Sequence, residues 1–172
     1  MNALKLTAAS IAFAFASIGA AHADVASGDK KFLEKAAEAG QLEIATSQLA
    51  AQRATHADVK AFAQMMVTDH TKADTELKAL AASKQVTLPM EQPRKVKSTL
   101  DDLGKKQGLD FDKEYADEIA VDAHKDAVDL FKDAAEDAKD PDIKAWAAKT
   151  LPTLQAHYDA GRMLKEKLKD AK

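Results

Sequence analysis

Apolar and small residues recur along this chain at steps of three, four and seven, the spacing that gathers them on one side of an α-helix. Phe32, Ala36, Ala39, Glu43 and Ala50 predict a first helix over about Gly28–Arg53, weakened locally by Gly40. A second inward face is open to the same helix: Leu42 with Leu49 turns Glu43 towards the side. Val59, Phe62, Met66, Leu77 and Leu80 predict a second helix from just after Thr55 to about Lys84, with the Thr55 hydroxyl as cap and Asp58 in the first turn. Pro89, Pro93 and two glycines mark Val86–Gly108 as a connection carrying a short helix over Val96–Lys106. Phe111, Val121, Val128, Phe131 and Ala135 predict a third long helix over Asp110–Ala138, stopped at Asp140-Pro141-Asp142. Ile143, Ala147, Thr150, Leu154, Gly161, Leu164 and Leu168 form the most regular stripe, on a fourth helix opened by Pro141 and expected to kink at Pro152. Four long amphipathic helices, two tight turns and one long connection predict an all-α four-helix bundle, one domain over residues 24–172.

The first 23 residues follow a different rule. Lys5 provides a positive start, Leu6 to Ala21 an apolar stretch, and Ala21-His22-Ala23 a small-x-small cleavage site, the pattern of a secretory signal. Cleavage leaves a chain beginning at Asp24, expected in the periplasm or outside a bacterial cell and free of the membrane. The 172 residues include 25 basic and 28 acidic side chains; removing Lys5 leaves 24 against 28, a net charge of −4. That mild, mixed acidity argues against nucleic-acid binding. The absence of cysteine excludes disulfides, thiolate catalysis, iron–sulfur clusters and lipoprotein attachment.

The candidate chemistry lies in histidines. His22 leaves with the signal, and His56 falls at the first turn, a solvated position. His70 fills the gap between Met66 and Leu77, His124 lies between Val121 and Val128, and His157 between Leu154 and Gly161, so three helices each carry one imidazole in the apolar seam. Glu43 is 12 residues before Thr55, His70 15 after it, His124 16 before Asp140 and His157 17 after it. At about 1.5 Å per residue these four stand at similar heights in helices of similar length. Three neutral imidazoles and a carboxylate suit a first-row divalent ion, zinc first, with copper or iron as alternatives. The competing reading is a core network of histidines satisfied by carbonyls and carboxylates.

Other features carry less. Met65-Met66 suits soft copper ligation or simple packing, and Asp69 and Asp122 are placed to orient imidazoles. Asp133-Ala134-Ala135-Glu136-Asp137 lacks calcium-loop spacing, Arg94-Lys95-Val96-Lys97 lacks aromatic platforms, and no phosphate loop, HExxH or GxSxG occurs.

Leu42-Glu43, Lys60-Ala61-Phe62-Ala63-Gln64-Met65-Met66 running into Asp69-His70, Leu88-Pro89, Phe111-Asp112-Lys113-Glu114-Tyr115, Asp122-Ala123-His124 and Thr150-Leu151-Pro152-Thr153-Leu154-Gln155-Ala156-His157 together resemble domain-of-unknown-function family 4142. The resemblance implies a bacterial exported protein with a ferritin-like bundle, and it gives weight to His70, His124 and His157 without supplying an activity. Ferritin-like di-iron enzymes use Glu-x-x-His, whereas Val67, Val121 and Leu154 stand three residues before these histidines. The expectation is therefore a single transition-metal ion held by His70, His124 and His157 with Glu43 as a fourth ligand. A non-enzymatic envelope-stress or interaction module is the alternative, and an oxidase with a mononuclear metal the third reading.

Overall fold

A computed structural model describes residues 24–89 and 93–171; the expected signal segment, Met1 to Ala23, lies outside the described residues. Helices α1 (Ser27–Arg53) and α2 (Ala57–Ser83) form an antiparallel pair, followed by the short α3 (Arg94–Gly104). A continuous rod then runs through α4 (Gly108–Tyr115), a π-helical segment (Ala116–Ala123) and α5 (His124–Asp137), and α6 (Pro141–Lys169) ends the chain. No strand occurs among the described residues. Helix α6 continues through Pro152.

Cross-helix pairs fix the directions. Asp58 meets Lys167, Asp69 meets His157, Glu76 meets Lys149 and Lys84 meets Asp140 and Asp142, so α2 and α6 are antiparallel. At one end of α1, Asp29 accepts from the amides of Lys139 and Asp140; at the other, Arg53 donates to the carbonyls of Gly104 and Lys106. The rod therefore runs against α1 and alongside α2. The chain must travel back along the molecule between α2 and α4, and α3 lies on this crossover.

Two reciprocal clamps secure the tight turns. Asp29, near the start of α1, holds the α5–α6 turn, and Asp112, near the start of the rod, accepts from Thr55 N, Thr55 Oγ1 and His56 N in the α1–α2 turn. Both carboxylates are buried, so each satisfies amides that would otherwise lack partners. The Thr55 hydroxyl is thereby taken up by Asp112, and the cap expected from Thr55 is provided instead by His56, whose Nδ1 accepts from Asp58 N at 3.2 Å.

The third long helix departs from a uniform α-helix. Its stripe was expected through Val121, Val128 and Ala135, which are only partly buried; the core face consists of Phe111, Tyr115, Ala116, Ile119 and Ala120, then His124, Ala127, Phe131 and Ala134. The wider π turn rotates the two halves relative to each other and keeps both inward. Gly161 of α6 makes this possible: a Cβ there would lie 1.9 Å from the Ala120 carbonyl oxygen.

The apolar interior falls into two clusters. One gathers Leu42, Phe62, Met66, Phe111, Ile119, Leu164 and Leu168; the other Phe32, Leu33, Leu77, Phe131, Ile143, Trp146 and Leu154. Between them lie buried Glu43, His70, His124 and His157, while buried Thr46 and Ser47 sit on α1 within the stretch of the first cluster. The two faces open to α1 are both inward, since Leu42 and Glu43 are each buried.

Candidate metal centre

Each histidine arrives at the polar layer on a different rigid element: His70 on α2, His124 at the junction of the π segment and α5, His157 on α6. Their ring centroids are 5.3–5.6 Å apart, and one nitrogen from each lies within 4.8 Å of the others. All three rings are at least 95 % buried.

The other nitrogen of every ring is committed to an acceptor. His70 Nδ1 lies 3.0 Å from Glu43 Oε2. His124 Nδ1 lies 2.8 Å from the Ile119 carbonyl oxygen, which fixes Nδ1 as the protonated nitrogen. His157 Nε2 lies 3.0 Å from Asp69 Oδ2. Since carbonyl and carboxylate oxygens only accept, these contacts leave lone pairs on His70 Nε2, His124 Nε2 and His157 Nδ1 when the rings are neutral. Acceptors behind metal-ligating imidazoles set tautomer and ring orientation in this way.

Two features show that the layer is not a closed hydrogen-bond network. His157 Nδ1 and Glu43 Oε1 are buried without a partner. His70 Nε2 and His124 Nε2 are 3.4 Å apart, and with both Nδ1 atoms donating, neutral rings place no hydrogen between them. Burial opposes charge on His70, but Glu43's charge and hydrogen bond outweigh it, with a contribution from Asp69, and the pKa is raised. Burial dominates at His124 and lowers its pKa despite Glu43, and it lowers that of His157 despite the bond to Asp69. Glu43 is also desolvated, yet His70, His124 and His157 together hold its pKa below the ordinary carboxylate value. These directions favour the charged form of Glu43, and protonation of His70 over that of the other two rings.

Glu43 reaches the centre through His70; it is not among the three groups whose ligand atoms converge. Its Oε1 is 3.8 Å from His124 Nδ1, beyond hydrogen-bond range. Asp69 acts as orienting partner, as its position beside His70 suggested, although for His157. Asp122 does not: it is exposed, and the Ile119 carbonyl holds His124 instead. Met66 is buried in the apolar core, whereas Met65 is exposed. His56 serves as the helix cap, away from the centre.

Three supporting elements had no motif to announce them. The π turn presents the Ile119 carbonyl to His124. Gly161 gives that turn its space. Ser47 and Tyr115 share a buried 2.8 Å hydrogen bond, and burial pushes the tyrosine pKa upward, keeping the phenol neutral. The one local signal was Thr46-Ser47, three and four residues after Glu43 on the same helical face.

No functionally curated protein matches the sequence. Among solved structures, CopM in the Cu(II)-bound form is similar, with a TM-score of 0.67 and 20% identity over 81% of this chain and 96% of that one. At that identity the likeness supports the helical fold. A family profile described as a domain of unknown function, DUF4142, matches residues 15–164, and a match over that much of the sequence establishes that the chain belongs to this family.

Proposed function

We propose that this protein binds one transition-metal ion in the bacterial periplasm through His70 Nε2, His124 Nε2 and His157 Nδ1, and that it sequesters or delivers the ion without catalysis. The observation that carries the reading is the convergence of three imidazoles, each tied back through its other nitrogen to Glu43, the Ile119 carbonyl or Asp69. The donor set fits: three nitrogens in a buried layer suit Cu(II), Zn(II) or Fe(II) chemically. Copper is the better assignment than the zinc first expected, because imidazole sites follow the Irving–Williams order and the similar CopM structure holds Cu(II). Glu43 is placed in this reading as the acceptor that orients His70, not as a fourth ligand.

The same reading takes the chain as a single domain with a four-helix ferritin-like arrangement, and expects α6 to bend where Pro152 lacks an amide for the Ala148 carbonyl. Met1 to Ala23 supports export. The competing reading, a buried polar network serving an interaction module, is disfavoured by the partnerless His157 Nδ1.

The test uses the mature chain from Asp24, purified without a tag and treated with chelator. Cu(II), Zn(II) and Fe(II) are then added separately, with elemental analysis and melting curves. A bound ion at a hundredfold excess over Kd should add about 2.7 kcal/mol of stability. His70→Ala, His124→Ala and His157→Ala should each abolish most binding while His56→Ala does not. Absence of stoichiometric metal, or equal losses from all four variants, overturns the reading.

A further inference from the structure

Helices α2 and α6 are stitched along their length by ion pairs, from Asp58–Lys167 to Lys84–Asp140. The middle of the seam between α1 and α5 is different. Besides the 3.8 Å approach of His124 to Glu43, no cross-helix ion pair joins it among the described residues. A cavity of about 490 Å³ lies there, where α3 begins. Small residues, Ala39 of α1 with Ala123 and Ala127 of the rod, line its interior, and on its walls Glu38, Asp126, Asp129 and Asp133 outnumber Lys35 and Lys95, so the walls are net acidic. Glu43 is also part of its wall, and this buried carboxylate keeps Oε1 without a partner while Oε2 binds His70.

We propose that this cleft is the route by which a hydrated metal cation reaches and leaves the three histidines, with Glu43 Oε1 as the contact that receives it. The inference rests on the metal-binding reading above and adds the path. Acidic walls concentrate cations at the mouth. Small side chains leave room for a partly hydrated ion. A carboxylate with one committed and one free oxygen can take the cation without releasing His70. The α2–α6 side also approaches the site through Asp69, but that carboxylate is already engaged by His157.

Filling the path should change rates and spare the equilibrium, because an obstacle slows arrival and departure equally. The probe is aqueous Cu(II), mixed rapidly with metal-free mature protein and followed by quenching of Trp146, the single tryptophan. Release is followed by chelator competition. Ala39→Phe should slow both association and dissociation tenfold or more and leave Kd within twofold. A second variant, Glu38→Gln with Asp126→Asn and Asp133→Asn, changes only exposed side chains. It should slow association severalfold at low ionic strength, the difference shrinking as salt screens the walls. Circular dichroism reports whether Ala39→Phe folds; if it does not, the charge variant decides alone. Stoichiometric uptake at wild-type rates in the folded variants overturns the route alone. Failure of the wild-type protein to take up copper overturns both the route and the site.

Discussion

Replacing Gly161 with alanine perturbs the fold and the candidate centre through one contact. The new Cβ would lie 1.9 Å from the oxygen, 2.6 Å from the carbon and 3.1 Å from the Cβ of Ala120. The first two are backbone atoms, so no side-chain rotation relieves the clash. Ordinary contact begins near 3.4 Å, and α6 and the π segment must part by about 1.5 Å to reach it. Overpacking of a tight interior costs about 1–3 kcal/mol, and a backbone collision belongs at the upper end. For a domain of this size, about 3 kcal/mol lowers the melting temperature by roughly 6–12 °C. The displaced residue adjoins Ile119, whose carbonyl orients His124, so copper affinity should also fall tenfold or more in protein that remains folded. Gly40→Ala is the matched control: its Cβ meets nothing within 4 Å, and alanine in a helix interior is favoured by about 0.5–1 kcal/mol. Thermal melts and copper titrations of both variants provide the assay. A Gly161→Ala protein with wild-type melting temperature and wild-type affinity refutes the assignment of Gly161 to the π segment and of that segment to His124.

Asp112→Ala strips the α1–α2 turn of its acceptor for Thr55 N and His56 N and should cost about 2–4 kcal/mol in denaturant unfolding, with copper affinity in the folded protein changed less than threefold. Glu43→Gln keeps the shape but allows the amide to present NH₂ to His70 Nδ1, inverting its tautomer; copper affinity should fall at least tenfold while the melting temperature of metal-free protein changes less. In metal-free protein, the lowered pKa values of His124 and His157 mean that the unfolded chain takes up protons below about pH 6.5 that the folded chain refuses, so stability falls on acidification; His124→Gln should flatten that limb in denaturant titrations at several pH values. His70 acts oppositely, its contribution being full below pH 6.5 and lost as pH rises through its raised folded value, so His70→Gln should remove the stability loss above about pH 6.5 and leave the acid limb in place.

Much of this was legible because helical periodicity is a local signal. The first, second and last long helices begin and end within about two residues of the bounds expected from stripes, turns and Pro141, and the three histidines stand at one level because counting from the turns measures height. The π segment was hidden: Val121 and Val128 are seven apart and suggest an undisturbed helix, and the buried positions Ala116, Ile119, Ala120, His124 and Ala127 themselves keep steps of three and four. An extra residue within a turn leaves no compositional mark. The clamps were hidden for another reason. Asp29 sits in the first turn of α1, where an acidic residue is already explained by the helix dipole, and nothing local says that it receives amides 110 residues away. Glu43 was correctly placed in the layer, but which ring it serves depends on side-chain direction, which residue spacing cannot give.

The position of the polar layer bears on why the protein retains it. Removing Glu43, His70, His124 and His157 from water is costly, and apolar residues of similar volume would join the two hydrophobic clusters into one. Uniqueness of fold does not demand the layer, because two reciprocal aspartate clamps and cross-helix ion pairs already define how the helices align. Nor does the layer close upon itself, since one imidazole nitrogen and one carboxylate oxygen lack partners. A network kept for structure alone would be expected to satisfy those atoms. Here the acceptors lie behind the rings and the lone pairs face one another, so that the groups repel in their neutral form and attract a shared cation. On the proposed metal-binding reading, the cost of the layer is offset most fully when an ion is bound, which would link the stability of the fold to the occupancy of the centre.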